Sequence, residues 1–206
     1  FASCSSLHDF NGKFASADGR CLIIDGVLGS FAPAGLTEYT IPDSVSTIGS
    51  DAFAGCSSLT SITIPDSVTR IGDYAFLGCS CLTSVTIPDS VSTICDGAFE
   101  DCSSLTSVTI PDSVTRIGSS AFSGCRRLTS VTIPDSVTTI GYAVFRGCSS
   151  LTSVYCKPTT PPTGGRYMFD SNAYGRKIYV PMESVASYKS ASAWNKYANS
   201  IVGYNF

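Results

Sequence analysis

The pentad Ile-Pro-Asp-Ser-Val recurs at residues 41–45, 64–68, 87–91, 110–114 and 133–137, each start 23 residues after the last. In the same register stand Ile48, Ile71, Ile94, Ile117 and Ile140, then Phe53, Phe76, Phe99, Phe122 and Phe145, then Cys56, Cys79, Cys102, Cys125 and Cys148. A fixed period of this length without insertions confines the chain to a stack of equivalent coils, each burying its apolar face only against its neighbours. At 206 residues this is one array or one domain.

Within one unit, Leu59-Thr-Ser-Ile62-Thr-Ile64 alternates inward Ile62 and Ile64 with outward Ser61 and Thr63, the pattern of a half-buried strand. Pro65 has no amide hydrogen to continue a ladder, and with Asp66 and Ser67 it sets a bend. Val68 and Ile71 return to the core along a second short extended stretch. Gly72, with Gly49, Gly118 and Gly141, suits a position of positive φ, and only Cys95 departs from glycine there. The following Ala-Phe-x-x-Cys is too short for an independent helix, so it reads as one helical turn or a 3₁₀ piece that drops Phe and Cys inward. Stacked phenylalanines would then form a spine.

The full unit, L-T-S-V-T-I-P-D-S-V-T-x-I-G-x-x-A-F-x-G-C-x-x, resembles the BspA-type leucine-rich repeats of surface proteins from anaerobic gut and oral bacteria and some mucosal protozoa. The resemblance covers residues 1–7 and 36–156. It implies a right-handed leucine-rich-repeat solenoid with a parallel sheet along one face, short helical or 3₁₀ turns, and a place at the cell surface or in the secreted fraction. It further implies an adhesin-like, non-enzymatic role toward host matrix protein, glycan or another cell.

Four segments are expected. Residues 1–7 match the end of a coil, such as Phe53 to Leu59, and read as the remnant of a truncated repeat. Residues 8–35 interrupt the period with Asp18-Gly19 and Asp25-Gly26, hairpin dipeptides that predict a small β-meander packed on or bulging from the first coils. Residues 36–156 hold five repeats and a final strand. From 157 to 206 a Pro-rich loop is followed by a strand over residues 177–181 and by helical spacing of Val185, Tyr188, Ala191 and Trp194. That strand and helix would cap the open edge of the array, as terminal repeats must, and the closing V-P-x-x-S-x-x-x-Y-K-x-x-x-x-W resembles the end of this family.

Composition limits the function. A net charge of −3 with only 13 Lys and Arg offers no basic stripe for a phosphate backbone, which argues against nucleic acid. No apolar run approaches the roughly 20 residues of a spanning helix, so no membrane insertion is expected of this segment. The single His8, beside Asp9, has no nucleophile motif near it, and no phosphate-binding glycine loop, zinc-protease or hydrolase signature occurs, so neither catalytic residue nor cofactor is assigned.

Ten cysteines invite a disulfide or zinc reading. Five of them recur at one coil position, about 5 Å apart at β spacing, which makes an internal ladder of reduced thiols the expectation, because parallel side chains give a poor disulfide dihedral. Cys4 fits the same column, whereas Cys21, Cys95 and Cys156 fall outside it. Cys79-x-Cys81 lacks the second pair that a zinc site needs, and Cys81 sits at a position filled elsewhere by Ser58, Ser104, Arg127 and Ser150, hence exposed. Asp43, Asp66, Asp89, Asp112 and Asp135 form a column that can be read as calcium ligands but is better read as turn acceptors. Asp-Ser-Val also resembles a bacterial O-glycosylation acceptor, which would mark Ser44, Ser67, Ser90, Ser113 and Ser136.

The outward strand positions give two columns: Glu38, Ser61, Ser84, Ser107, Ser130 and Ser153, and Thr40, Thr63, Thr86, Thr109, Thr132 and Tyr155. This flat hydroxyl-bearing sheet is the candidate ligand face, since side chains at fixed spacing suit extended or polymeric partners. Small β-formers are also simply tolerated on an exposed parallel sheet, and a structural spacer presenting another domain is the alternative role. Acidic residues dominate 36–151 and basic ones 152–206, a division read first as simple solvation of two surfaces, although it would also help weak head-to-tail self-association.

Overall fold

The computed structural model describes residues 6–206. Cys4 and most of the N-terminal repeat remnant lie outside the described residues. Strands β1 (Cys21–Ile24) and β2 (Val27–Phe31) pair antiparallel through Asp25-Gly26, both at positive φ (50° and 77°), as a two-residue hairpin turn requires. The chain then alternates two kinds of strand: β3 (Glu38–Thr40), β4 (Thr47–Ile48), β5 (Ser61–Thr63), β6 (Arg70–Ile71), β7 (Ser84–Thr86), β8 (Thr93–Ile94), β9 (Ser107–Thr109), β10 (Arg116–Ile117), β11 (Ser130–Ile133), β12 (Thr139–Ile140), β13 (Ser153–Cys156) and β14 (Thr163–Gly164). β15 (Lys177–Pro181), the six-residue helix α1 (Val185–Ser190) and β16 (Ile201–Tyr204) close the chain. All pairings except β1–β2 are parallel among these named strands.

The longest sheet is not on the face that the sequence favours. Its order is β1-β2-β4-β6-β8-β10-β12-β14, whereas the Leu-x-x-strands pair as β3-β5, β7-β9 and β11-β13-β15-β16. Glycine explains the difference. Gly49, Gly72, Gly118 and Gly141 are absent from the positive-φ residues, so their conformational freedom is not what the fold uses. They are glycine because coils touch there: a Cβ on Gly72 would lie 2.8 Å from the carbonyl carbon of Gly49, and one on Gly118 would lie 2.6 Å from that of Cys95. The close approach lets Gly72, Gly118 and Gly141 each donate from N–H to the isoleucine carbonyl of the preceding coil at 2.8 Å. Where Cys95 replaces glycine, the β6–β8 pairing shrinks to the single pair Ile71↔Ile94.

The Ala-Phe-x-x-Cys segment is likewise neither an α- nor a 3₁₀-helix but a run of turns. Its N–H groups alternate in direction. Ala52, Ala54 and Cys56 donate to the carbonyl three residues back, whereas Asp51, Phe53 and Gly55 donate to Asp73, Ala75 and Leu77 of the next coil. Continuous helix would need every N–H to stay within the coil, and half of them bond between coils instead. Left-handed residues at Asp51 (φ 57°) and Gly55 (φ 74°) turn the chain at the two ends of this side.

The core runs the length of the stack. Phe53, Phe76, Phe99, Phe122 and Phe145 are fully buried, with neighbouring ring centroids 5.0 to 5.5 Å apart and planes within 14° of parallel. The spine reaches further than the five repeats. Phe31 joins it at one end (4.7 Å from Phe53), and Phe169 at the other (5.7 Å from Phe145). Residues 157–165, read from sequence as loop, contain β14, and Phe169 just after them is a further inward phenylalanine; the extra residue in the Pro-Thr run moves Phe169 to 24 rather than 23 positions after Phe145. The helical spacing after Pro181 resolves into a 3₁₀ turn (Met182–Ser184), α1 and a second 3₁₀ stretch (Asn195–Ser200), broken where Ala191 turns extended (ψ 142°) and Ala193 takes φ 65°. Trp194 and Tyr197 from this segment pack on Phe169. Among the described residues no helix is long and apolar enough to cross a membrane.

Candidate binding face

The outward columns lie on one surface. Glu38, Thr40, Ser61, Thr63, Ser84, Thr86, Ser107, Thr109, Ser130 and Thr132 are exposed, and Tyr155 is half-buried. Register brings them opposite one another: Glu38↔Ser61 and Thr40↔Thr63, Ser84↔Ser107 and Thr86↔Thr109, Ser130↔Ser153 and Thr132↔Tyr155. Between Glu38 and Lys177 these outward positions carry no charge.

The columns continue past the last repeat and change character. Tyr155 pairs in register with Tyr179, and Tyr179 with Val202. The rings of Tyr155 and Tyr179 stack at 4.9 Å, Tyr204 meets both edge-on at 5.5 and 5.4 Å, and Phe206 lies 5.1 Å from Tyr204. A cleft of about 560 Å³ opens here, lined by Tyr155, Tyr204 and Phe206 with Thr132, Asp135, Lys157 and Asn205. Of these, the sequence reading singled out only Thr132, Tyr155 and Asp135. The signal for Tyr179 was available in the echo of I-x-I-P by Ile178 to Pro181; β16 carries no repeat signature, so Tyr204 and Phe206 were not accessible that way.

Beneath the surface, hydroxyls and thiols tie coil to coil. Ser67, Ser113 and Ser136 donate from Oγ to the carbonyls of Val45, Val91 and Val114 at 2.7 to 2.8 Å, and Ser90 does the same to Val68. The serines offered as glycan acceptors are thus half-buried donors, apart from the exposed Ser44. The thiols of Cys79, Cys102, Cys125 and Cys148 donate to the carbonyls of Phe53, Phe76, Phe99 and Phe122 at 3.1 to 3.3 Å. All five ladder cysteines, Cys56 included, are buried and free. Burial pushes the Cys102 thiol up to about 12; hydrogen bonding with Cys56 and with Cys148, followed by burial, raises Cys79 and Cys125. Cys79, Cys102 and Cys125 thus stay protonated and act as donors rather than nucleophiles.

The other candidates stay scattered. Asp43, Asp66, Asp89, Asp112 and Asp135 are all exposed, His8 is exposed beside Asp9, and among the described cysteines only Cys81 is exposed. Among the described residues no group of three or more His, Cys, Asp or Glu is arranged to hold a metal. A second surface cluster sits on the turn side of the cap, where Tyr142 meets Tyr167 edge-on at 5.5 Å and Lys196 lies 4.6 Å over the Tyr167 ring and 2.6 Å from Asp170.

Comparison with known proteins fits this architecture. Residues 29–152 and 69–192 match the BspA type leucine-rich repeat region, in six copies. The chain is similar to a leucine-rich repeat protein from Bacteroides ovatus (29% identity, TM-score 0.70), covering 87% of this chain and 45% of that one. It is also similar to a leucine-rich repeat protein of T. pallidum (25% identity, TM-score 0.65, 93% and 94% covered). A leucine-rich cell surface protein from Faecalibacterium prausnitzii shares 32% identity (TM-score 0.61), over 69% of this chain and 36% of that one. The chain thus spans less than half the length of the B. ovatus protein. No curated protein matches it.

Proposed function

We propose that this chain, which belongs to the BspA-type leucine-rich repeat family, is a non-enzymatic recognition module that works at the cell surface or after secretion. The reading rests on one observation: a polar face, uncharged at the outward positions between Glu38 and Lys177, runs along the coils and ends in a group of partly exposed aromatic rings. Repeated side chains on a rigid ladder present many weak contacts in a row, and an aromatic cluster adds the desolvated anchor that such a row lacks. The F. prausnitzii relative is described as a cell surface protein, which supports the location. The partner would be a protein, for example of host matrix, or a glycan.

A second reading, a spacer that holds another domain away from the cell, draws support from the unbroken eight-stranded ladder, which stiffens the array along its axis. The two are separated by screening the chain against immobilised matrix proteins, mucins and glycans beside a Thr63→Lys/Thr86→Lys/Thr109→Lys variant. Capture that the variant loses places recognition on the sheet face. Capture by neither protein leaves the spacer.

A further inference from the structure

Where on this face a ligand is held, and what chemistry it has, follows from the end of the sheet. Most of the face is lined by short hydroxyls, which offer little area to desolvate, and the smaller hollow of about 360 Å³ beside Thr109 and Thr132 has no aromatic ring in its wall. Only at β13, β15 and β16 do large rings replace them, and only there does the cleft of about 560 Å³ form. Tyr204 and Phe206 are 42% and 52% exposed although they are among the largest apolar groups of the chain. Exposed aromatic groups gathered at a cleft, rather than scattered singly, mark a contact site.

The surroundings of these rings select the occupant. Asp135 and Lys157 both line the cleft and offset one another, and Thr132 and Asn205 add a hydroxyl and an amide. A strongly anionic ligand would meet Asp135, and a cationic one Lys157. A pyranose suits the set: one face of its ring presents aligned C–H bonds to an aromatic plane, while its rim of hydroxyls both donates and accepts. The same applies beyond the cleft, where uncharged Ser and Thr rows continue at the strand spacing of roughly 4.8 Å.

We propose that the cleft bearing Tyr155, Tyr204 and Phe206 binds a neutral oligosaccharide, whose chain extends over the Thr132 and Thr109 rows. This rests on the recognition reading above and narrows it to one ligand class and one end of the face.

The test is an array of neutral and acidic oligosaccharides together with matrix proteins, probed with the chain, with Tyr204→Ser/Phe206→Ser, and with Arg146→Ala, a residue that lines the second cluster beside Tyr142, Tyr167 and Asp170. Because Tyr204 and Phe206 are half exposed, the double variant should melt with the parent, and a thermal melt verifies that. Neutral glycans should bind the parent and the Arg146→Ala protein alike and lose about ten-fold or more in affinity with the double variant, the scale expected for removing ring stacking. Equal glycan binding by the double variant overturns the proposal, as does binding restricted to acidic glycans. Capture of matrix proteins alone overturns the glycan assignment and leaves recognition standing, whereas capture of nothing removes both.

Discussion

Asn172 donates from Nδ2 to the carbonyl of Phe145 at 2.7 Å, and so takes the place that the Cys148 thiol holds on Phe122 one coil earlier, at 3.1 Å. The substitution ends a series. Each thiol needs a phenylalanine carbonyl behind it, and each such carbonyl awaits a donor from the coil ahead. Beyond Asn172 the next donor is the Arg176 guanidinium, which reaches the Phe169 carbonyl at 2.6 Å and Asn172 Oδ1 at 3.2 Å. Its charged plane lies against the rings of Phe169 and Tyr197, at 5.5 and 5.2 Å.

Asn172→Ala removes the donor and leaves a carbonyl in the core edge with one partner fewer. The expected cost is about 1–3 kcal/mol of stability, and Asn172→Cys should recover most of it. Denaturant titration measures both; an Ala variant as stable as the parent would remove this role from Asn172.

Phe99→Ala opens a cavity between Phe76 and Phe122, whose rings stand 5.1 and 5.4 Å away. A loss of about 3–5 kcal/mol is expected, against no measurable change for the fully exposed Tyr174→Ala. Equal melts for the two variants would contradict the inward spine.

Gly118→Ala places a methyl carbon 2.6 Å from the amide nitrogen of Asp96, a backbone atom that cannot swing aside. It should destabilise by about 1–3 kcal/mol. Gly29→Ala has no atom within 4 Å of the new carbon, so its melt should stay close to that of the parent.

Alkylation distinguishes the thiols. In a Cys4→Ser background, one adduct is expected on native protein, at Cys81, while Cys21, Cys56, Cys79, Cys95, Cys102, Cys125, Cys148 and Cys156 react only after unfolding. Intact mass before and after denaturant reads the count. Rapid labelling of more than one site in the native state would show that the ladder opens.

Acid should loosen the cap before the coils. Burial pushes the Asp170 carboxyl up, but hydrogen bonds from Lys196 and Tyr197 and the charges of Lys196 and Arg146 outweigh it and hold the group below the usual carboxylate range. A folded-state value below the unfolded one means that this stabilisation is complete above about pH 4 and is lost as pH falls through the folded value. Trp194, two residues before Lys196, reports the change by fluorescence. Asp170→Asn should abolish the acid-dependent step, and a step unchanged in that variant would assign it to another group.

The repeat made the coil legible because it repeats a physical demand: Ile, Val, Leu, Phe and Cys face inward wherever the period places them. What the period could not reveal was the reason for each residue. Gly72 suggested a backbone turn, since sequence carries φ preference more readily than the distance to a neighbouring coil. Phe169 was hidden by one inserted residue, and the short pieces after Pro181 by helical spacing that tertiary contacts interrupt. On the face, Thr63 or Ser84 could be placed outward by alternation alone. The cleft could not, because Tyr155, Tyr179 and Tyr204 meet only through the parallel pairing of β13, β15 and β16.

The hand-over of donors from coil to coil also bears on how such chains change over generations. Every interior coil offers its successor the same phenylalanine carbonyl and receives the same thiol, so one 23-residue unit can be duplicated or lost without leaving a mismatched joint. Asn172 and Arg176 require only that some coil end in that carbonyl. The length of the array is therefore free to drift in steps of one coil, while the segment that follows the last coil, and the cleft beside it, travel unaltered.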